Sequence, residues 1–214
     1  MKNKSKGRVL ALTEGAVCVA LSFVLELLFV WLNGMLGISA LLPFGGTITV
    51  SVLPIIYYSY RRGTAWGIFT GLIYAFLQMA LGFYIPPAKT IAALILCVVL
   101  DYILAFTVMG CASFFARLFG GKRLLGYSVG AVCVCLIRFA SSFLSGLLVF
   151  NSNFYVEAGQ STPSLIDAIS DSGAWIYSLT YNGSYMLANA IINPILIVIL
   201  CAEIDPLTLK KYRK

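Results

Sequence analysis

The chain has 214 residues, 60% hydrophobic and only 11% charged, with a mean hydropathy of +0.94. Soluble domains carry roughly 25% charged residues, so an ordinary water-soluble fold is excluded and an integral membrane protein is indicated. There are 15 basic and 8 acidic residues and no histidine, which removes Ser-His triads, H-E-x-x-H zinc sites and His-ligated haem.

The N-terminus, MKNKSKGRVLALTEGAVCVALSFVLELLFVWL, is basic and then apolar. The apolar stretch is too long for a signal peptide, carries Glu14 and Glu26, and lacks a small-x-small cleavage site. A retained first span over 9–32 is expected, since a spanning helix needs about 20 largely apolar residues. The second span, 47–60, is short and broken by Pro54, and its entrance LLPFGGTITVSVLP reads as partly unwound or re-entrant. Further spans are predicted over 66–83, 90–115, 124–150 and 175–202. The expected fold is an all-α integral membrane protein with six transmembrane helices, one domain over 1–214.

Six spans put both termini on one side. Lys2, Lys4, Lys6, Arg8, Arg61, Arg62, Arg117, Lys122, Arg123, Lys210, Lys211, Arg213 and Lys214 then share a face, and only Lys89 and Arg138 do not. The positive-inside rule makes that face cytoplasmic, in the cell membrane. The net charge of +7 therefore reports topology. Basic residues scattered over several short loops do not suit nucleic acid. On the outer side lie 33–46, 84–89 and the long 151–173, which carries Glu157, Asp167 and Asp171. Its length suits either a lid or a solvated linker.

Four ionisable side chains fall within the spans. Glu14 lies in the first turns of span one, where it can snorkel to the surface or favour the helix N-terminus. Glu26, about 26 Å from the start of that span, either faces a cavity or reaches water. Asp101 is about 16 Å from the outer end of its span, close to mid-bilayer, where a carboxylate needs a partner. Arg138 has similar depth in the fifth span. The sequence leaves open a buried Asp101–Arg138 pair that locks two helices and an Asp101 that recognises a ligand.

Span six opens with YSLTYNGSYM. At 100° per residue, Ser178, Asn182, Asn189 and Asn193 fall in a stripe about 60° wide, with Tyr185 beside it and Tyr177 and Tyr181 adjoining. Such a stripe must face the bundle interior. Interhelical hydrogen bonds suit the deep Asn189 and Asn193. Tyr177, Tyr181 and Asn182, near the outer mouth, suit a flat, polar, partly cationic molecule. Ala16-x-x-x-Ala20 and Gly67-x-x-x-Gly71 are small-residue patterns that allow close helix contact. Cys18, Cys97, Cys111, Cys133, Cys135 and Cys201 lie in or beside apolar runs and read as packing residues rather than disulfides or metal ligands. There is no P-loop pattern.

The ordered segments LTEGAVCVALSFVLE, LPIIYYSYRRG, LDYILAF, RFASSFLSG and YSLTYNGSY resemble the thiamine-specific substrate-binding subunit of energy-coupling factor transporters. The resemblance covers nearly the whole chain. It implies six spans, a vitamin site near the outer surface, and docking on a transmembrane coupling protein with two ATP-binding subunits. It implies no catalytic residue and no cofactor. By motif it assigns substrate binding to Asp101, Tyr177, Asn182 and Tyr84, and docking to Ala16 and Ala20. At two further binding positions the chain departs from the family: Ser142 replaces a histidine and Phe150 a tryptophan. An acidic residue and a tryptophan expected before span two are replaced around Gly45 and Thr49. Thiamine, a precursor or a related heteroaromatic is thus the expected ligand. The alternative reading is a self-sufficient ion-coupled transporter with Asp101 as its proton site, and an intramembrane enzyme is disfavoured.

Overall fold

The computed structural model describes residues 2–42, 46–86, 91–119, 123–149 and 172–211. Among these the chain forms α1 (Lys2–Met35), α2 (Leu53–Arg62), α3 (Thr64–Leu81), α4 (Ile91–Leu118), α5 (Arg123–Leu148) and α6 (Ser172–Lys211), with a 3₁₀ turn at Ile38–Leu41. All but α2 are long and apolar enough to cross a membrane. Their positions agree with the expected first, third, fourth, fifth and sixth spans.

The second span is not the continuous helix that 47–60 implied. Only its last part is helical: α2 has 10 residues, and Pro54 sits in its first turn. There a missing N–H costs nothing and the fixed φ favours helix entry. Residues 46–52 are non-helical. Gly46 has φ of 111°, and an added Cβ would lie 2.9 Å from the Tyr185 ring. The β-branched run that follows favours extended backbone. Extended residues cover up to about 3.3 Å each, so 46–52 and α2 together reach at most about 38 Å, enough for a hydrocarbon core of about 30 Å.

Non-helical backbone at that depth persists only if its polar groups find partners. Three asparagines supply them. Asn33 Nδ2 donates to the Ile48 carbonyl (3.0 Å), and its Oδ1 accepts from Ile48 N–H (3.2 Å). Asn189 Oδ1 accepts from Thr49 N–H (2.8 Å) while its Nδ2 donates to the Thr47 carbonyl (2.9 Å). Asn193 Nδ2 donates to the Thr49 carbonyl (3.0 Å). The interhelical bonds expected of Asn189 and Asn193 thus go to the unwound backbone of 47–49, whose own groups lack helical partners.

The fourth span is one rod but not one helix type. It winds as a π-helix over Val98–Leu104 and as a 3₁₀-helix over Val108–Cys111. Backbone contact with α3 accompanies this. A Cβ on Gly67 would lie 2.5 Å from the Gly110 carbonyl, and one on Gly71 would lie 2.7 Å from the Phe106 carbonyl. The Gly67/Gly71 spacing therefore does what small residues do in membrane helices: it lets two backbones touch.

The core gathers Ile55 and Ile56 of α2, Tyr74 of α3, Met109 of α4, Val134 of α5 and Ile197 of α6, all fully buried. Tyr74 meets Phe106 edge-on with centroids 5.3 Å apart. All six cysteines are free thiols, and Cys97, Cys135 and Cys201 are buried. Glu14 neither snorkels nor caps its helix. It bridges Arg61 (3.1 Å) and Arg62 (2.6 Å) at the end of α2, because the bundle brings the two cytoplasmic ends together.

Candidate functional site

A cavity of about 520 Å³ opens between the outer halves of α1, α4, α5 and α6, the end of α3, and the Gly46–Thr47 stretch. That volume is in the range of small-molecule sites, which combine aromatic walls with a few convergent polar groups. Asp101, Ser142, Tyr84, Tyr177 and Asn182 all line it, so five residues from four separate stretches of sequence converge. The sixth expected binding residue, Phe150, lies outside the described residues.

Asp101 sits in the π-helical turn, which brings Cys97, Asp101 and Tyr102 together onto the cavity wall. The Ser145 hydroxyl donates to Asp101 Oδ2 at 2.5 Å, and the Cys97 thiol reaches the same oxygen at 3.8 Å. Arg138 lines the cavity too but makes no ion pair with Asp101; the ion pairs among the described residues are those of Glu14. Instead the Arg138 guanidinium lies 4.6 Å above the Phe106 ring, a cation–π contact, and its Nε is buried without a hydrogen-bond partner. A helix-locking Asp101–Arg138 bridge is therefore absent.

Aromatic rings form the outer wall. Tyr177 and Tyr181, one turn apart on α6, stack with centroids 6.0 Å apart and planes 17° from parallel. Tyr177 is 39% exposed, as a residue at a cavity mouth would be. Opposite, the Tyr84 N–H donates to the Tyr102 hydroxyl (3.1 Å), which donates to the Gly82 carbonyl (3.1 Å). Asn182 is largely committed within the protein. Its Nδ2 donates to the Ser178 and Ser142 carbonyls (3.1 and 3.3 Å), and its Oδ1 accepts from Tyr185 (3.1 Å). Ser142, buried, lies beside it on α5.

Ala16 and Ala20 are elsewhere. Both are exposed along a hollow of about 630 Å³ between α1 and α3, among Val19, Phe23, Trp66 and Phe69. This hollow is larger than the cavity, but its walls are almost wholly apolar and, among the described residues, no charged group lines it. It suits packing against a helix or lipid, not recognition of a polar molecule.

Sequence reasoning did not single out Ser145 or Tyr102. Ser145 was legible in principle, since RFASSFLSG puts Arg138, Ser142 and Ser145 at i, i+4 and i+7, on one helix face. Tyr102 was not, because in an α-helix it would stand about 140° from Cys97, and only the i→i+5 winding of the π turn brings the two toward one face. Thr49 is buried, donates its hydroxyl to Glu26 Oε2 (3.1 Å), and thereby places a second carboxylate on the cavity wall.

The family described as "Thiamine transporter protein (Thia_YuaJ)" matches residues 12–209. The thiamine transporter ThiT of Bacillus subtilis (strain 168) is 29% identical over 208 residues, covering 92% of this chain and 93% of that protein. A solved structure of ThiT from Listeria monocytogenes aligns with a TM-score of 0.62 at 20% identity, covering 92% of this chain and 96% of that one. At that identity the likeness is one of fold.

Proposed function

Since the chain belongs to the thiamine transporter (Thia_YuaJ) family, we propose that it is the membrane-embedded substrate-binding subunit of an energy-coupled vitamin transporter. It takes thiamine or a close precursor from outside. It is a multi-pass membrane transport protein and not an enzyme. The observation that carries the reading is the outer cavity, where stacked tyrosines adjoin Asp101 and Arg138 with neither charge consumed by an ion pair.

In this reading Asp101, steadied by Ser145, accepts from the amino group of the aminopyrimidine. Tyr177 and Tyr84 enclose ring faces, with Phe150 as a further aromatic contact. Ser142 adds a hydroxyl, and Asn182 offers the second lone pair of its carbonyl oxygen. Delivery inward requires partners: a transmembrane coupling protein docking along Ala16 and Ala20, and two ATP-binding subunits that supply the energy this chain has no P-loop to harvest. Purified protein reconstituted alone into liposomes is expected to bind thiamine yet not accumulate it, with or without a proton gradient. Gradient-driven accumulation would instead establish the self-sufficient ion-coupled transporter.

A further inference from the structure

Among the described residues of the outer half, Glu26 is the carboxylate that neither the sequence pattern nor the family resemblance assigned a task. It is 8% exposed and lies on the wall of the binding cavity. Its hydrogen-bond donor is the Thr49 hydroxyl at 3.1 Å, and it belongs to no ion pair. Thr49 in turn is held through its backbone by Asn189 and Asn193, so the carboxylate is mounted on a fixed support. A neutral hydroxyl orients a carboxylate but does not balance its charge, and an unbalanced charge at membrane depth needs a cation.

The charges of the cavity leave one such deficit. Among the described residues two carboxylates, Glu26 and Asp101, face a single guanidinium, that of Arg138, and the guanidinium is seated over Phe106 rather than on either acid. At formal charges this described lining carries one excess negative charge. Its ligand should therefore be a monocation.

The geometry points to Glu26 as a specificity-determining residue that supplies the counter-charge for a quaternary, permanently cationic ring of the ligand, the thiazolium in the case of thiamine. This assignment rests on the thiamine reading proposed above. A quaternary ring nitrogen has no N–H and cannot be read by hydrogen bonds, so a carboxylate beside aromatic faces is the chemistry that recognises it. The same assignment accounts for a ligand with two dissimilar halves: an amino-heterocycle addressed by Asp101 and a cationic ring addressed by Glu26.

The test is a double-mutant cycle in which charge is removed from either side. The probes are thiamine and its neutral thiophene isostere, in which carbon replaces the quaternary nitrogen. Binding to wild-type protein and to Glu26→Gln in detergent is measured by calorimetry, with thermal melting of the unliganded proteins as the check on folding. Wild type should prefer thiamine by about tenfold or more, the range for interactions with a charged group. Glu26→Gln should erase that preference, losing thiamine affinity while binding the isostere as wild type does. If Glu26→Gln is not obtained folded, Glu26→Ser, which keeps a hydroxyl toward Thr49, is measured the same way. A preference that survives the substitution, or equal binding of both probes by wild type, overturns the Glu26 assignment and leaves the thiamine reading standing. Failure of wild type to bind thiamine overturns both.

Discussion

The two ends of this bundle treat buried and half-buried charge in opposite ways. At the cytoplasmic end Glu14 meets Arg61 and Arg62 at 3.1 and 2.6 Å, and the charges are satisfied within the protein. In the outer half Glu26, Asp101 and Arg138 share one cavity with no ion pair among them. Closed pairs hold helices together; open ones are held apart at a cost that only a ligand can offset. The difference separates a fastening from the proposed recognition site, although the sequence shows both as acidic residues inside apolar helices.

The comparison can be broken by four measurements. The largest effect is expected outside both charge clusters. Ala16→Trp or Ala20→Trp should abolish thiamine uptake in cells that hold the complete transporter while leaving thiamine binding by the purified protein intact, because a bulky side chain forbids close helix approach. Normal uptake would make the α1–α3 hollow ordinary lipid-facing surface.

Next comes Asp101. Asp101→Asn and Asp101→Ala should each weaken thiamine binding by about 1.5–3 kcal/mol, tenfold or more, without lowering the melting temperature. Because Asp101 and Arg138 are not ion-paired, adding Arg138→Met to Asp101→Asn should not restore affinity. Near-normal affinity in that double variant would make Asp101 a packing residue.

Asn189→Ala should act on stability first. It strands the Thr49 N–H and the Thr47 carbonyl inside the bundle, at a cost of about 1–3 kcal/mol for each unpaired group, visible as a lower melting temperature. Thiamine affinity should fall with it, since Thr47 lines the cavity. Unchanged melting would mean that 46–52 does not depend on the asparagines.

The smallest effect belongs to the closed cluster. Glu14 and its partners have side chains 23–33% exposed, so Glu14→Gln should change stability by less than about 1 kcal/mol and leave thiamine affinity unchanged. A loss of affinity there would couple the two ends and erase the distinction drawn above.

Much of the architecture was readable without coordinates, for a physical reason. Hydrocarbon requires long apolar helices, and the translocation machinery sorts basic loops to the cytoplasmic side, so span positions and orientation are local properties of composition. The polar stripe of α6 was equally legible, because helical periodicity alone decides that Ser178, Asn182, Asn189 and Asn193 share a face. What that face touches was not. Asn189 and Asn193 bond residues some 140 positions away in a segment whose unwinding the sequence only hints at, and Asn33, which reads in sequence as part of an outer loop, bonds Ile48. The π turn that brings Cys97 and Tyr102 toward one face, and the absence of a bridge between Asp101 and Arg138, depend on how α3, α4 and α5 pack. Sequence determined which side chains hydrocarbon would not tolerate alone. Only the tertiary structure decided which of them find partners inside the protein and which line the outer cavity without an ion pair, because hydrogen bonds and ion pairs form over about 3 Å, a distance that spacing along a chain cannot specify.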